Sequence, residues 1–241
     1  MLIDGRGPRM RPRMAITISA AMLALGMAGG AQAQAASGGA APAKFDPPAG
    51  WAFLPETMAY GGGDIFHIVA GGAVGGPRPQ MRVLTHQNAA IITRDVDVPL
   101  TEATTLKWRW LFEKIPTKFA ETLAANHDYI SIAVKFDNGQ DLTYMWSVNL
   151  APGTGFHCPL PGWEHRETHA VIRSGEADLG RWLEEERPIL ADYKRYIDVP
   201  PPHRITQIWI IANSFIQKGD GEASFGDISL GDAGGKRLRV F

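Results

Sequence analysis

The sequence predicts an all-β fold, a two-sheet antiparallel β-sandwich of jelly-roll type with one short helical insertion. Three observations carry that expectation. From Trp51 onward, short segments of strand chemistry recur between turn signals. The segment LKWRWLFE alternates cleanly, with Leu106, Trp108, Trp110 and Phe112 on one face and Lys107 and Arg109 on the other. No helical periodicity separates the strand-like segments, which disfavours a parallel βαβ arrangement.

The elements follow in chain order. IFHIV, bracketed by glycines, reads as one strand, and MRVLTH and AIITRDVDV as the next two. After LKWRWLFE, DYISIAVKF places Ile130, Ile132, Val134 and Phe136 on one face and Tyr129, Ser131, Ala133 and Lys135 on the other. DLTYMWSVNL, HAVIRS, TQIWIIAN and ASFGDISL complete a set of eight or nine strands. RWLEEERPILADYKRYI differs, because Ile189, Leu190, Tyr193, Tyr196 and Ile197 recur at helical spacing. Pro188 suits a first helical position, Pro200 to Pro202 end the segment, and Glu184 to Glu186 read as a solvated face ahead of the helix. No repeat of solenoid length is present.

The ends read differently from the middle. Arg6, Arg9, Arg11 and Arg13 precede the apolar run AITISAAMLALGMAGGA, and AQAQAAS offers small-x-small cleavage sites ending at Ala33 or Ala35. Residues 1–35 therefore read as a signal peptide, which predicts a periplasmic or secreted protein with no membrane span in the mature chain. Residues 36–50 read as a Pro/Gly-rich linker, 51–232 as the sandwich domain and 233–241 as a C-terminal tail. Cys158 is the single cysteine, so no intramolecular disulfide can form. A net charge of -1 argues against nucleic acid as a partner.

The order LKWRW, HDYISIAVKF, YMWS, VIRSG, then Trp182, Glu185, Arg187 and Pro188 as W-x-x-E-x-R-P, then ADY and FGDISL resembles a bacterial exported family. It is the domain-of-unknown-function family numbered 3047, and the likeness runs from about Met81 to Leu230. The resemblance implies a jelly-roll sandwich of the galactose-binding or concanavalin-like sort and no assigned biochemical role. It also implies an acidic, threonine-containing run after the penultimate strand, where this chain carries NSFIQKGDGEAS.

In a sandwich one face of each strand is core and the other meets solvent or a groove, so alternation yields candidate site residues. His127 and Tyr129 share an outward face. In TQIWIIAN the outward set includes Trp209 and Asn213, and in ASFGDISL it includes Phe225 and Asp227. If WEHRETHAVIRS is extended, His165, Glu167, His169 and Arg173 lie on one face. Those residues would then share a groove with Arg109, Tyr129 and Trp209.

Three functions are compatible with such a groove. The leading expectation is recognition of a small polar or glycan ligand, with Trp209 as the aromatic platform and His127, Glu167, Arg173, Asn213 and Asp227 around it. The alternative is a metal-independent lyase or hydrolase acting on a carbohydrate or small aromatic substrate, with His165 or His169 as base, Tyr129 as acid and Arg109 as charge clamp. The third is an envelope protein whose sheet face docks a partner. Trp209 can instead be covered by the segment from Leu179 to Ile197. No metal site is expected from His165 and His169, which flank Glu167 and lack the helical one-turn spacing of a chelating pair. Asp220 and Glu222 in QKGDGEAS offer carboxylates for calcium. Cys158, without a paired base in the sequence, reads as a small buried loop residue.

Overall fold

The computed structural model describes residues 47–71, 78–124, 126–232 and 234–241. The expected signal peptide and residues 36–46 of the expected linker lie outside the described residues. Two sheets pack face to face, as the alternation predicts. The first contains β1 (Trp51–Phe53), β4 (Ala89–Pro99), β6 (Ile130–Phe136), β7 (Asp141–Ser147), β8 (Gly155–His157), β9 (Glu167–Ser174) and β11 (Arg204–Asn213). Their spatial order is β1-β4-β11-β6-β7-β9-β8. The second is ordered β10-β5-β12-β3-β2, from β2 (Phe66–Val69), β3 (Gln80–His86), β5 (Thr105–Lys114), β10 (Leu183–Pro188) and β12 (Asp220–Gly231). A short β13 (Arg237–Arg239) pairs with β12. Among the described residues these strands pair antiparallel, except β7 with β9.

The core is an aromatic layer built by β5. Trp108, Trp110 and Phe112 are fully buried and meet Tyr144 and Trp146 of β7 from the facing sheet. Trp108 stacks on Tyr144 with ring centroids 5.5 Å apart, and Phe112 lies 5.0 Å from Trp146. Rings at such separations add about 0.5–1.5 kcal/mol per pair beyond the area they bury. Phe225 of β12 joins the layer 6.2 Å from Trp110. This corrects the expected outward position of Phe225. A β-bulge between Gly226 and Ser229, with Asp227 in the left-handed region at φ 53°, shifts the phase of the strand. Phe225 therefore turns inward while Asp227 turns out, because an extra residue exchanges the two faces.

The Glu184–Glu186 run is strand β10, paired with β5 through Glu185 opposite Trp108, rather than a solvated lead into a helix. Glu184 and Glu186 are exposed and Glu185 is buried. Its Oε1 accepts from Trp110 Nε1 at 3.1 Å and from Arg173 Nε at 2.7 Å. Helix α1 (Ile189–Tyr196) follows at once. It puts Ile189 and Tyr193 into the core, and Tyr193 meets Phe136 edge to face at 5.1 Å. Asp192 holds Arg187 through two hydrogen bonds of 2.8 and 2.5 Å and accepts from Tyr144 Oη at 3.0 Å. Among the described residues no helix is long and apolar enough to cross a membrane.

Candidate functional site

The register of the seven-stranded sheet aligns one row of residues across its outer face. Thr93 pairs with Trp209, Trp209 with Ala133, Ala133 with Thr143, Thr143 with His169, and His169 with Phe156. Trp209 and His169 therefore share a face, as alternation predicts. Three strand spacings separate them, about 14 Å. That face is not open. Trp209 is 4% exposed and belongs to a second apolar cluster with Ile91, Ala133 and Ile211. Its cover is Trp163, edge to face at 6.5 Å, rather than the segment from Leu179 to Ile197. Lys135 lies over its ring at 5.0 Å and Gln207 accepts its Nε1 at 2.8 Å. On the other side of the row, Thr143, Met145, His169 and Val171 are all buried. A solvated strand face would carry lysines and glutamates, so these residues mark a roofed polar layer.

The roof is made of loops. Thr57, in the 3-10 helix Pro55–Tyr60, accepts from Ile91 N at 3.0 Å and so ties that helix to β4. The chain from Pro159 to Arg166 carries Trp163 across the sheet. The segment before β6 brings in Glu121, His127 and Asp128, all buried. Glu121 accepts from Ser147 Oγ at 2.5 Å and Val148 N at 2.7 Å, which pins its loop to the end of β7.

Beneath this roof lies a cluster of ionisable groups. His169 Nε2 is 3.2 Å from Asp128 Oδ1 and 3.5 Å from Glu167 Oε1, with the ring stacked on Phe156 at 4.9 Å. Neither approach has hydrogen-bond alignment, and both ring nitrogens of His169 lack a hydrogen-bond partner. Asp128 Oδ2 accepts from Ser131 Oγ at 2.8 Å, and Glu167 Oε1 from Thr143 Oγ1 at 2.8 Å. His127 Nε2 lies 3.8 Å from Asp128 and 3.2 Å from Asn213 Nδ2. Cys158 Sγ, a carboxylate oxygen of Glu167 and a ring nitrogen of His169 all fall within 4.8 Å of one another.

Charge state follows from burial against partners. Burial disfavours the His169 imidazolium, yet the Glu167 and Asp128 carboxylates outweigh it and raise its pKa. Burial would likewise raise Asp128, but His169 prevails and holds it down to about 2. Burial pushes Glu167 up, with His169 opposing. His127 is pushed down by burial against the pull of Asp128. Burial, reinforced by Glu167 and Asp128, keeps the Cys158 thiol protonated. The cluster thus favours an Asp128–His169 ion pair, with Glu167 beside it.

A small cleft, with a cavity volume of about 50 Å³, reaches this cluster. Its lining is mainly apolar, with Tyr60, Trp163 and Phe215 as aromatic wall, and the nearly buried Asp128, Glu167, His127 and Asn213 border it. Tyr60 and Phe215 are 5.0 Å apart. Trp163 and Tyr60 are half-buried and Phe215 is exposed, so the three rings can meet a ligand.

The sequence candidates divide accordingly. His127, Glu167, His169 and Asn213 converge. The other members of the expected groove are elsewhere. His165 is not on β9, because the chain turns from Pro161 to Arg166 before the strand begins. Its side chain is 87% exposed beside Glu164. Tyr129 precedes β6 and turns into the core, where its hydroxyl donates to Trp146 O at 2.5 Å. Burial, then Glu121, raises its pKa well above the usual range, so it cannot serve as an acid at the cleft.

Arg109 stands on the outer face of the other sheet. It stacks over Trp182 at 4.0 Å and donates to Asp227 Oδ2 at 2.7 Å. Gly226 lies opposite, and a Cβ there would be 2.9 Å from Arg109 Nε, so the missing side chain lets the guanidinium reach Asp227. Arg173 follows a β-bulge that pairs it with Trp146 rather than continuing the outward phase, and so it crosses to Glu185 of the second sheet. The expected base, acid and clamp therefore do not meet.

Asp220 and Glu222 lie in β12 and are engaged by Lys114 (3.1 Å) and Arg82 respectively. Sequence reasoning missed Asp128, Tyr60, Trp163 and Phe215. The available signal was small and polar Ser131 and Thr143 on outward faces, which imply a covered layer in need of partners.

Comparison with curated proteins finds no match. Among solved structures, the chain is similar to the xyloglucanase domain of NopAA, a type three effector from Sinorhizobium fredii. Identity there is 12%, with 69% of this chain and 93% of that one covered at a TM-score of 0.39. It is also similar to a family 11 carbohydrate-binding module from Clostridium thermocellum at 16% identity, covering 79% and 93% at a TM-score of 0.36. TM-scores this low leave the functional reading to the chain's own residues. The sequence itself matches, over residues 74–229, the model of one family, and the chain belongs to it: the family described as protein of unknown function (DUF3047).

Proposed function

We propose that this chain is an exported protein that binds a small polar, carbohydrate-like ligand in the cleft over its seven-stranded sheet. One observation carries the reading. The cleft sets aromatic wall (Tyr60, Trp163 and Phe215) beside Asp128 and Glu167, which border it. Sugar rings present C–H faces that pack on aromatic rings and hydroxyls that donate to carboxylates, so they match both. Asn213 and His127 add groups for orientation at the same border. The binding surface differs from the open sheet expected from alternation, because Trp209 is covered and Trp163 takes its place at the solvent boundary.

The experiment is a thermal-shift and calorimetric screen of the mature chain against neutral sugars, uronic acids and oligosaccharides. A ligand that binds the folded state at 100 times its Kd stabilises it by about 2.7 kcal/mol. The expected hit is lost in Trp163→Ala and retained in Trp182→Ala, which alters the opposite sheet. A hit retained in Trp163→Ala, or no hit across all three classes, overturns the proposal.

A further inference from the structure

We propose that Cys158, Glu167 and His169, with Asp128 beside them, form a site for a divalent ion of zinc type at the inner end of the cleft. The inference stands on the geometry of the cluster and is independent of what the cleft binds.

Four features support it. The donor set of thiol, imidazole and carboxylate suits zinc, whereas hard cations such as calcium and magnesium take oxygen ligands alone. Zinc–nitrogen and zinc–oxygen bonds of about 2.0 Å place tetrahedral ligand atoms about 3.3 Å apart. His169 Nε2 lies 3.2 Å from Asp128 Oδ1 and 3.5 Å from Glu167 Oε1. At those distances the nitrogen is nonetheless not aligned to donate to either oxygen, and it is fully buried without a hydrogen-bond partner. A buried imidazole normally donates its N–H, so one held at these distances from two carboxylates without aligned donation has the surroundings of a metal ligand. Finally, the carboxylates are oriented from outside the cluster by Ser131 and Thr143, the kind of supporting hydrogen bond that metal ligands receive.

The chain order explains why the set is compact. Cys158 N donates to Glu167 O at 2.9 Å, which fixes the residue after β8 against the start of β9. Glu167 and His169 are two residues apart on β9 and therefore share its face. Asp128 closes the group from the segment before β6.

Binding is a proton exchange with no redox step. The dication enters, the Cys158 thiol and the His169 imidazolium each release a proton to solvent, and the thiolate, the Glu167 carboxylate and the neutral imidazole hold the ion, with the Asp128 carboxylate adding its charge beside His169. The cleft contacts Asp128 and Glu167, so the ion would lie next to any ligand there.

The test uses the mature chain after treatment with chelator, loaded with cobalt(II) as a spectroscopic stand-in for zinc. The expected result is one equivalent bound, with a thiolate-to-cobalt charge-transfer band and the strong visible bands of tetrahedral cobalt. Both are lost on addition of excess zinc. Cys158→Ser loses the charge-transfer band, while the surface variant His203→Ala keeps the whole spectrum. X-ray absorption at the zinc edge of the wild-type chain provides a readout that needs no variant, with one sulfur and two or three nitrogen or oxygen neighbours expected. Failure to take up cobalt or zinc, a spectrum without the thiolate band, or a zinc shell without sulfur overturns the proposal. A sugar hit on the chelated protein leaves the cleft reading standing in each of those cases.

Discussion

Replacing Glu185 tests how the two sheets are joined. Its carboxylate connects Arg173, at the end of β9 in the first sheet, to the indole of Trp110 at the centre of the second. Trp110 is fully buried, so an indole N–H that loses its acceptor costs about 1–3 kcal/mol. The ion pair contributes less. The Arg173 side chain is 35% exposed and can turn to water, which limits the pair to about 0–1 kcal/mol. Glu185→Leu keeps the volume but removes the acceptor, and a loss of about 1–4 kcal/mol is expected. Glu185→Gln keeps Oε1 for Trp110 and loses only the charge, at about 0–1 kcal/mol. In a domain of this size each kcal/mol moves Tm by roughly 2–4 °C. Leucine should therefore lower Tm by roughly 2–16 °C and glutamine by no more than about 4 °C. Urea denaturation of the two variants supplies the free energies directly. Equal losses for the two variants would show that the charge, and not the acceptor for Trp110, is what matters. No loss for leucine would remove both interactions as sources of stability.

Other outcomes follow from the same contacts. Trp163→Ala should uncover Trp209, giving a red-shifted tryptophan emission and a stability loss of about 1–2 kcal/mol for a half-buried ring. Unchanged emission would refute the cover. In the native, metal-free chain Cys158 should resist alkylation at mildly alkaline pH and react once unfolded, since burial and two carboxylates disfavour its thiolate. Stoichiometric native labelling would contradict that. Tyr129→Phe leaves Trp146 O without its donor and should cost about 1 kcal/mol while leaving ligand affinity unchanged. A selective loss of binding would return Tyr129 to the site. If the proposed export holds, intact-mass analysis of protein from a bacterial envelope fraction should place its N-terminus at Gln34 or Ala36, after the two small-x-small sites, and an unprocessed N-terminus would refute it.

The parts of the fold that were legible in the sequence are those where one strand face is wholly apolar. β5, β6 and β11 alternate over seven to ten residues, and their inward sets are the core. Strands β1, β8 and β13 have three residues each, too few for a period to show. β10 was illegible for a different reason. Three consecutive glutamates oppose strand propensity, and the segment is a strand because the free edge of β5 pairs with it. Phase errors account for the misplaced site residues. Arg173 and Phe225 each lie next to a bulge, and a bulge leaves no reliable mark in composition. His165 was assigned to a strand that begins two residues later.

What the sequence could not reveal is the roof, and the roof determines the chemistry of the site. On an exposed sheet, His169, Glu167 and Asp128 would be three hydrated side chains with weak mutual effects. Buried under Trp163 and the segment before β6, they perturb one another strongly enough for burial to be overcome at His169 and Asp128. Nothing local in FHCPLPGWEHRETHAVIRSG encodes that difference, because the cover arrives from residues 55–60 and 121–128 as well as from its own loop. The same stretch nevertheless supplies Cys158, Glu167 and His169 with a spacing fixed by the β8–β9 pairing. Its richness in histidine misdirects, since His165 and His157 stay outside the cluster and the partner of His169 is an aspartate about forty residues earlier in the chain.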